Sequence, residues 1–244
     1  MFADPSVKAI FCAQAGYGSM QVIPFLDKKI IQKNPKIFMG YSDITVLLGY
    51  FLKQCKLNVF HGPIVQGEIR RRMSRLTLNF LLRSLMQTRP LGKVMFPNIR
   101  ILKPGKARGT IVGGNISMLA DTIGTPCEID TNDSILFLED IDEDMETIDR
   151  HLLQLKLAGK FKKVKGILFG RLIDCYDRSG KKYNIRNILK DIFYDIDVPM
   201  FYGFPSGHSV SKSKRDANIT IPFGVPVTID SKSLSVFFHS SGVK

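Results

Sequence analysis

Short apolar runs alternate with helix-period stretches through the start of this chain, and that alternation restricts the region to parallel βαβ units. The runs fall at Lys8 to Ala13, Lys36 to Met39 and Asn58 to Phe60, with helical patterns near Met20 to Gln32 and from Asp43 to Gln54. The tightest junction is the most informative. Lys36-Ile37-Phe38-Met39 reads as a short buried strand between Asn34-Pro35 and Gly40, and a helix follows at once with Ile44, Leu47, Leu48, Phe51 and Leu52 at helical spacing. Gly40-Tyr41-Ser42-Asp43-Ile44 therefore puts a serine on a sharp strand-to-helix turn, its hydroxyl exposed beside the first free helix amides. The amide of Asp43 is placed to donate to an oxyanion. Ile44 stands where the nucleophile elbow G-x-S-x-G has its last glycine, and Ser42 or Asp43 reads equally well as a helix cap. A nucleophile therefore requires a base elsewhere in the chain.

Composition bounds the remaining choices. A chain of 244 residues with 44% hydrophobic content buries a substantial core as one large or two small domains. No run of about 18 apolar residues occurs, and Met1-Phe2-Ala3-Asp4-Pro5 is not a charged region leading into an apolar one, so a soluble, non-exported protein is expected. Cys12, Cys55, Cys127 and Cys175 are widely spaced without a C-x-x-C pair, which predicts reduced structural cysteines and no metal site. The net charge of +13 is unevenly spread. Residues 66–108 carry eleven Lys and Arg, from Arg70 to Arg108, against the single acid Glu68, whereas residues 128–149 carry ten acids and no Lys or Arg. No nucleic-acid motif accompanies the basic stretch, so it reads as a solvated surface rather than a nucleic-acid partner site.

The fold expected is α/β in two parts. Residues 1–65 form a parallel-sheet α/β domain, and residues 66–108 a basic connection with a helix striped by Leu76, Phe80, Leu81 and Leu85. Residues 109–244 form a mixed α/β domain ending in short antiparallel strands at Asn218 to Phe223, Pro226 to Ile229 and Leu234 to Phe238. In the last part, strand Thr110 to Val112 leads to a Gly113-Gly114-Asn115 turn, and strand Ile135 to Leu138 leads to a helix from Glu143 to Ala158, capped by Gly159. A basic loop and helix to Tyr194 follow strand Gly166 to Gly170.

A base is sought among four histidines. His151 falls within a helix beside Leu152, and His239 lies in the fraying C-terminal strand. His61 opens His61-Gly62-Pro63 at the end of a parallel strand, a position that suits function. His208 sits in the loop Gly203-Phe204-Pro205-Ser206-Gly207-His208 after an apolar strand, where glycine permits close backbone approach, and is preferred. For the orienting carboxylate, Glu139 ends the strand Ile135-Leu136-Phe137-Leu138 and is fixed by packing, though it reads also as a cap of the next helix.

Six motifs in order then carry a resemblance: Gly16-Tyr17-Gly18, Gly40-Tyr41-Ser42-Asp43-Ile44-Thr45, His61-Gly62-Pro63, Gly113-Gly114-Asn115-Ile116-Ser117, Leu138-Glu139-Asp140 and Pro205-Ser206-Gly207-His208. Across essentially the whole chain the sequence resembles the LD-carboxypeptidase family, which also contains microcin-immunity peptidases. The resemblance implies a serine peptidase with Ser42 as nucleophile, His208 as general base and Glu139 as orienter. The site would lie in a cleft between an N-terminal and a C-terminal domain. Asp43, Gly16 and Asn115 would supply oxyanion or binding contacts. The implied substrate is a murein tetrapeptide cleaved before its terminal D-alanine in cytoplasmic peptidoglycan recycling, without cofactor, metal, nucleic acid or membrane, and with a homodimer left open. Gln14-Ala15 stands where the family usually has arginine and glycine, and Ser206 where it has phenylalanine. Family members also begin with a further strand and helix before the point matching Met1, so the resemblance implies an incomplete N-terminal domain. A microcin-type peptidase and an inactive remnant or binding module are the competing expectations.

Overall fold

The computed structural model describes residues 1–71, 73–96, 98–178, 180, 184–208 and 217–244. The fold is mixed α/β, built on two mixed sheets. In chain order the elements are β1 Ala9–Phe11, α1 Ser19–Val22, α2 Lys28–Lys33, β2 Ile37–Gly40, α3 Thr45–Tyr50, β3 Val59–His61, α4 Arg75–Met86, β4 Gly92–Met95, β5 Arg100–Lys103 and β6 Lys106–Asn115. They continue with α5 Ile116–Asp121, β7 Ser134–Ile141, α6 Met145–Leu157, β8 Gly166–Ile173, α7 Ile185–Ile192, β9 Met200–Tyr202, β10 Ile221–Phe223, β11 Pro226–Asp230 and β12 Ser235–Phe238.

The first sheet has the order β1-β2-β3-β10. Its first three strands are parallel, as the alternating pattern predicts, but β10 arrives from the far end of the chain and pairs antiparallel with β3. The single helix expected from Met20 to Gln32 is broken in two. Pro24 enters a short 3₁₀ turn, and Asp27 then starts α2 by accepting from the amides of Lys29 and Ile30.

The second sheet has the order β4-β12-β11-β6-β7-β8-β9-β5, with β6 to β9 parallel and antiparallel strands at either side. Both edges come from the basic segment that reads as a connection. Edge strands carry one unpaired row of backbone groups, and Lys93, Arg100 and Lys103 give β4 and β5 the charged character that discourages further pairing. In α4, Phe80, Leu81 and Leu85 are buried as their spacing predicts, but Leu76 is 40% exposed and Thr77 takes the inner position.

One apolar cluster fills the space between the sheets and includes Ile44, Leu48, Phe51, Ile111, Phe137 and Phe223. A second packs the other face of the large sheet under α5, α6 and α7. Met145, Ile148, Leu152 and Leu155 form the buried stripe of α6, each contributing roughly 1.5–3 kcal/mol. Strand β7 alternates between these clusters. Ile135 and Phe137 join the first, Leu136 and Leu138 the second.

Gly113 and Gly114 do not form the expected turn. They lie within β6 at φ 143° and 145°, and an added Cβ at Gly113 would meet Phe137 O at 1.9 Å, while one at Gly114 would meet Thr45 Cγ2 at 2.5 Å. Glycine is required for close passage rather than for reversal. The amide of Asn115 then donates to Thr45 Oγ1 at 3.1 Å, which joins the large sheet to α3.

Candidate active site

The candidate positions gather at the carboxyl ends of parallel strands from both sheets, where α/β proteins place their sites. Ser42 follows β2, His61 ends β3, Glu139 lies near the end of β7, and His208 is in the loop after β9.

Ser42 has φ 64°, a left-handed conformation unusual for a side chain with a Cβ. It opens a 3₁₀ turn, Ser42–Ile44, that runs into α3. Tyr41 holds the cap position of this turn and Ser42 is its first residue. The Asp43 carboxylate is buried and accepts the Ser19 amide at 3.0 Å, which ties the Gly16 to Gly18 loop to the serine turn. Gly40 is constrained by Ile44, whose Cγ2 would lie 2.8 Å from an added Cβ. The residue that replaces the elbow's last glycine thus imposes glycine at the first position.

Glu139 is entirely buried within β7, which continues to Ile141, so it does not end its strand as expected. Asp144, not Glu139, caps α6 by accepting from the Glu146 amide. The pairing of β7 with β8 shifts between Leu138 and Asp140, a local irregularity of the kind that re-aims a side chain beside a site. Strand alternation places Glu139 on the side of Phe137, toward the serine-bearing unit.

His208 Nδ1 is 2.7 Å from Glu139 Oε2, and the same oxygen accepts the His208 backbone amide at 3.1 Å. A carboxylate only accepts, so Nδ1 carries the hydrogen and Nε2 is left as the basic atom. Burial pushes Glu139 toward its neutral form, but the facing charge and hydrogen bond of His208, then the nearby ring of His61, outweigh it and hold the carboxyl well below its ordinary range. Burial likewise lowers His208, and Glu139 overcomes that and raises it above its ordinary value. Gly207 has φ 92°, and a Cβ there would meet Glu139 Oε2 at 2.5 Å. Only glycine lets this loop close on the carboxylate.

The His208 ring stands edge-on to Tyr41 with centroids 4.8 Å apart, which brings it beside the residue preceding Ser42. Tyr41 is buried and donates to Glu68 Oε1 at 3.1 Å, an oxygen that also accepts from Asn218 Nδ2 at 3.0 Å. Asn218 Oδ1 in turn accepts the Gly207 amide at 3.1 Å. This chain of contacts runs from the serine turn to the histidine loop. No local pattern marks Glu68 or Asn218 in the sequence, because their partners lie far along the chain.

Asn115 is buried at the start of α5. Its side chain donates to Asp140 Oδ1 at 2.7 Å and accepts the Met118 amide at 3.1 Å, so it starts α5 and anchors Asp140. Asp140 also accepts the amide and hydroxyl of Ser117, and burial followed by the neighbouring Glu139 raises its pKa. His151 reaches the same group through Ser117 Oγ at 3.1 Å. His239 is paired with Thr228 Oγ1 at 2.8 Å, apart from this cluster. Among the described residues, no group of three or more His, Cys, Asp or Glu is gathered as a metal site requires.

A histidine polarised by a buried carboxylate and seated against a strained serine turn is equipment for acyl transfer, and the class it defines is that of serine-type hydrolases acting on acyl compounds. Comparison with known proteins narrows this. Residues 1–62 match the LD-carboxypeptidase N-terminal domain and residues 108–229 the LD-carboxypeptidase C-terminal domain. The probable murein peptide carboxypeptidase of Bacillus subtilis is 36% identical over 246 residues, spanning 94% of this chain and 71% of that protein. A muramoyltetrapeptide carboxypeptidase from Oxalobacter formigenes superposes with a TM-score of 0.83 at 29% identity, over 97% of this chain and 80% of that one. The microcin C7 self-immunity protein MccF shares the fold, with a TM-score of 0.87 at 24% identity over 100% of this chain and 79% of that one. The chain belongs to the LD-carboxypeptidase family and is a serine-type carboxypeptidase.

Proposed function

We propose that this protein releases the terminal D-alanine from murein tetrapeptides by hydrolysing the bond between an L-configured centre and that residue. The observation that carries the catalytic assignment is the 2.7 Å contact between His208 Nδ1 and Glu139, beside the turn that holds Ser42. The murein substrate draws its support from the names of the Bacillus and Oxalobacter relatives.

In this reading His208 Nε2 removes the proton of Ser42 Oγ as the oxygen attacks the scissile carbonyl. The amide of Asp43 and one from the Gly16 loop take the developing oxyanion. The imidazolium that forms is stabilised by Glu139 and gives its proton to the departing amine of D-alanine. Water activated by His208 then cleaves the acyl-serine bond and frees the tripeptide. A role in cytoplasmic peptidoglycan recycling belongs to the same proposal, since recycling supplies free tetrapeptides. Among the described residues no helix is long and apolar enough to cross a membrane.

The test is incubation of the purified chain with an L,D-linked murein tetrapeptide, followed by mass spectrometry. Loss of one alanine is expected, together with its disappearance in Ser42→Ala. An unchanged substrate would overturn the proposed activity, and an active Ser42→Ala protein would overturn the assignment of the nucleophile.

A further inference from the structure

Three loops meet at the site, and one short turn is tied to all of them. Val65–Ile69, just after His61-Gly62-Pro63, forms a helical turn kinked at Gly67, whose φ of −85° and ψ of −115° are not helical. The amides of Val65 and Gln66 donate to Cys12 O at 3.1 Å and Ala13 O at 2.8 Å, which fastens the chain leading into the Gly16 loop. Glu68, from the same turn, reaches the other two loops. Its Oε1 accepts from the Tyr41 hydroxyl at 3.1 Å and from Asn218 Nδ2 at 3.0 Å.

The orientation of Asn218 is fixed by its partners. The Gly207 amide can only donate, so the Asn218 atom that meets it at 3.1 Å is the oxygen, and the NH2 group turns to Glu68. Asn218 is fully buried, and its own amide donates to Thr77 Oγ1 at 3.0 Å, so it has little freedom to shift. Tyr41 immediately precedes Ser42, and Gly207 immediately precedes His208. One oxygen of Glu68 is therefore bonded to the residue before the nucleophile and, through a single side-chain amide, to the residue before the base. The other oxygen, Oε2, is buried and accepts no hydrogen bond among the described residues. What the arrangement uses is one acceptor at one point.

We propose that Glu68 is a positioning residue that sets the spacing between Ser42 and His208 by holding Tyr41 and Asn218 on a single acceptor oxygen. This role rests on the catalytic assignment of Ser42 and His208 given above. Proton transfer needs His208 Nε2 within hydrogen-bond reach of Ser42 Oγ, and a misplacement of about 1 Å costs on the order of 10²-fold in rate. Without Glu68 the buried Tyr41 hydroxyl and the Asn218 NH2 group lose their shared partner, and the two loops lose their common reference. The effect falls on nucleophile and base, so it appears in kcat rather than in KM.

The test is D-alanine release by wild type, Glu68→Ala, Glu68→Gln and Tyr41→Phe. Glu68→Ala is expected to lower kcat by about 10- to 100-fold while KM changes less than about threefold. Tyr41→Phe removes one of the two bonds and is expected to lower kcat about tenfold. Glu68→Gln keeps an oxygen for both donors and is expected to return kcat to within about threefold of wild type. A Glu68→Ala enzyme with wild-type kcat overturns the proposal, as does a loss confined to KM or a glutamine variant as slow as the alanine one. If Glu68→Ala does not fold, Tyr41→Phe and Glu68→Gln decide, and either a wild-type kcat in the first or a loss as large as 10-fold or more in the second overturns it. Wild-type protein that releases no D-alanine fails the peptidase reading and takes this proposal with it, whereas an active wild type with an equally active Glu68→Ala fails this proposal alone.

Discussion

Replacing Glu139 by glutamine keeps the shape of the side chain and removes its charge, which isolates what the carboxylate does for His208. In the protein, one oxygen of a fully buried Glu139 accepts both Nδ1 and the backbone amide of His208. A hydrogen bond to a charged group contributes about 1.5–3 kcal/mol and a neutral one about 0.5–1.5, so the resting pair weakens by roughly 1–2 kcal/mol. The transition state loses more, because there the histidine is fully charged and the carboxylate is its counter-ion. Removing the orienting carboxylate of a serine-peptidase triad costs about 10⁴ in kcat, or about 5.5 kcal/mol, and a loss between ~10² and ~10⁴ is expected here. The direction of the pH effect is fixed as well. Burial lowers His208 and Glu139 raises it, so with glutamine in place burial prevails and the residual activity has its acid limb at lower pH. Stability follows the same logic. Glu139, depressed on folding, contributes stability that is present above the ordinary carboxylate value of about 4.3 and is lost as pH falls through its folded value. His208, raised on folding, contributes stability that is present below about pH 6.5 and is lost as pH rises through its raised value. Glu139→Gln should flatten both slopes. The assay is D-alanine release measured from pH 4.5 to 9, with thermal unfolding followed from about pH 2 to about pH 9 so that the Glu139 window is included. Activity within tenfold of wild type, or an acid limb that does not move down, would refute the reasoning.

Ser42→Gly should abolish turnover yet raise the thermal midpoint, since glycine adopts φ 64° without the ~1 kcal/mol strain of a β-carbon; calorimetry and mass spectrometry read the two effects. Gly207→Ala should cost at least ~2 kcal/mol in urea unfolding and most of the activity, because its Cβ displaces Glu139 from His208. Asn115→Ala should lower stability by about 1–2 kcal/mol through loss of the α5 cap and of a donor to Asp140, while KM changes less than kcat; a dominant rise in KM would restore the substrate contact expected for this residue.

The serine junction was legible because everything that makes it is local: an apolar run, a glycine and a helical stripe within twenty residues. The role of Glu139 was half legible. Its strand could be read, but not whether it caps the next helix or faces the serine, which depends on strand alternation and an irregularity in the pairing with β8. Gly113 and Gly114 misled because glycine serves both reversals and close approach, and only the positions of Phe137 and Thr45 separate the two. The edge strands β4 and β5 were hidden by the charges that suit them to an edge, so the segment looked like a connection. Glu68, Asn218 and the hub at Asp140 act through partners distant in sequence, and no spacing reveals them.

The antiparallel pairing of β10 with β3 bears on how the protein is made. The sheet that carries Ser42 takes its outer strand from residues near the end of the chain, and Asn218, just before that strand, links Glu68 to the histidine loop. During synthesis the turn that holds Ser42 emerges well before Ile221–Phe223, so its sheet stays incomplete until those residues have left the ribosome. Such late, non-local closure slows folding. In the proposed mechanism it also means that Ser42 has no general base until His208 has been made and its loop has closed on Glu139.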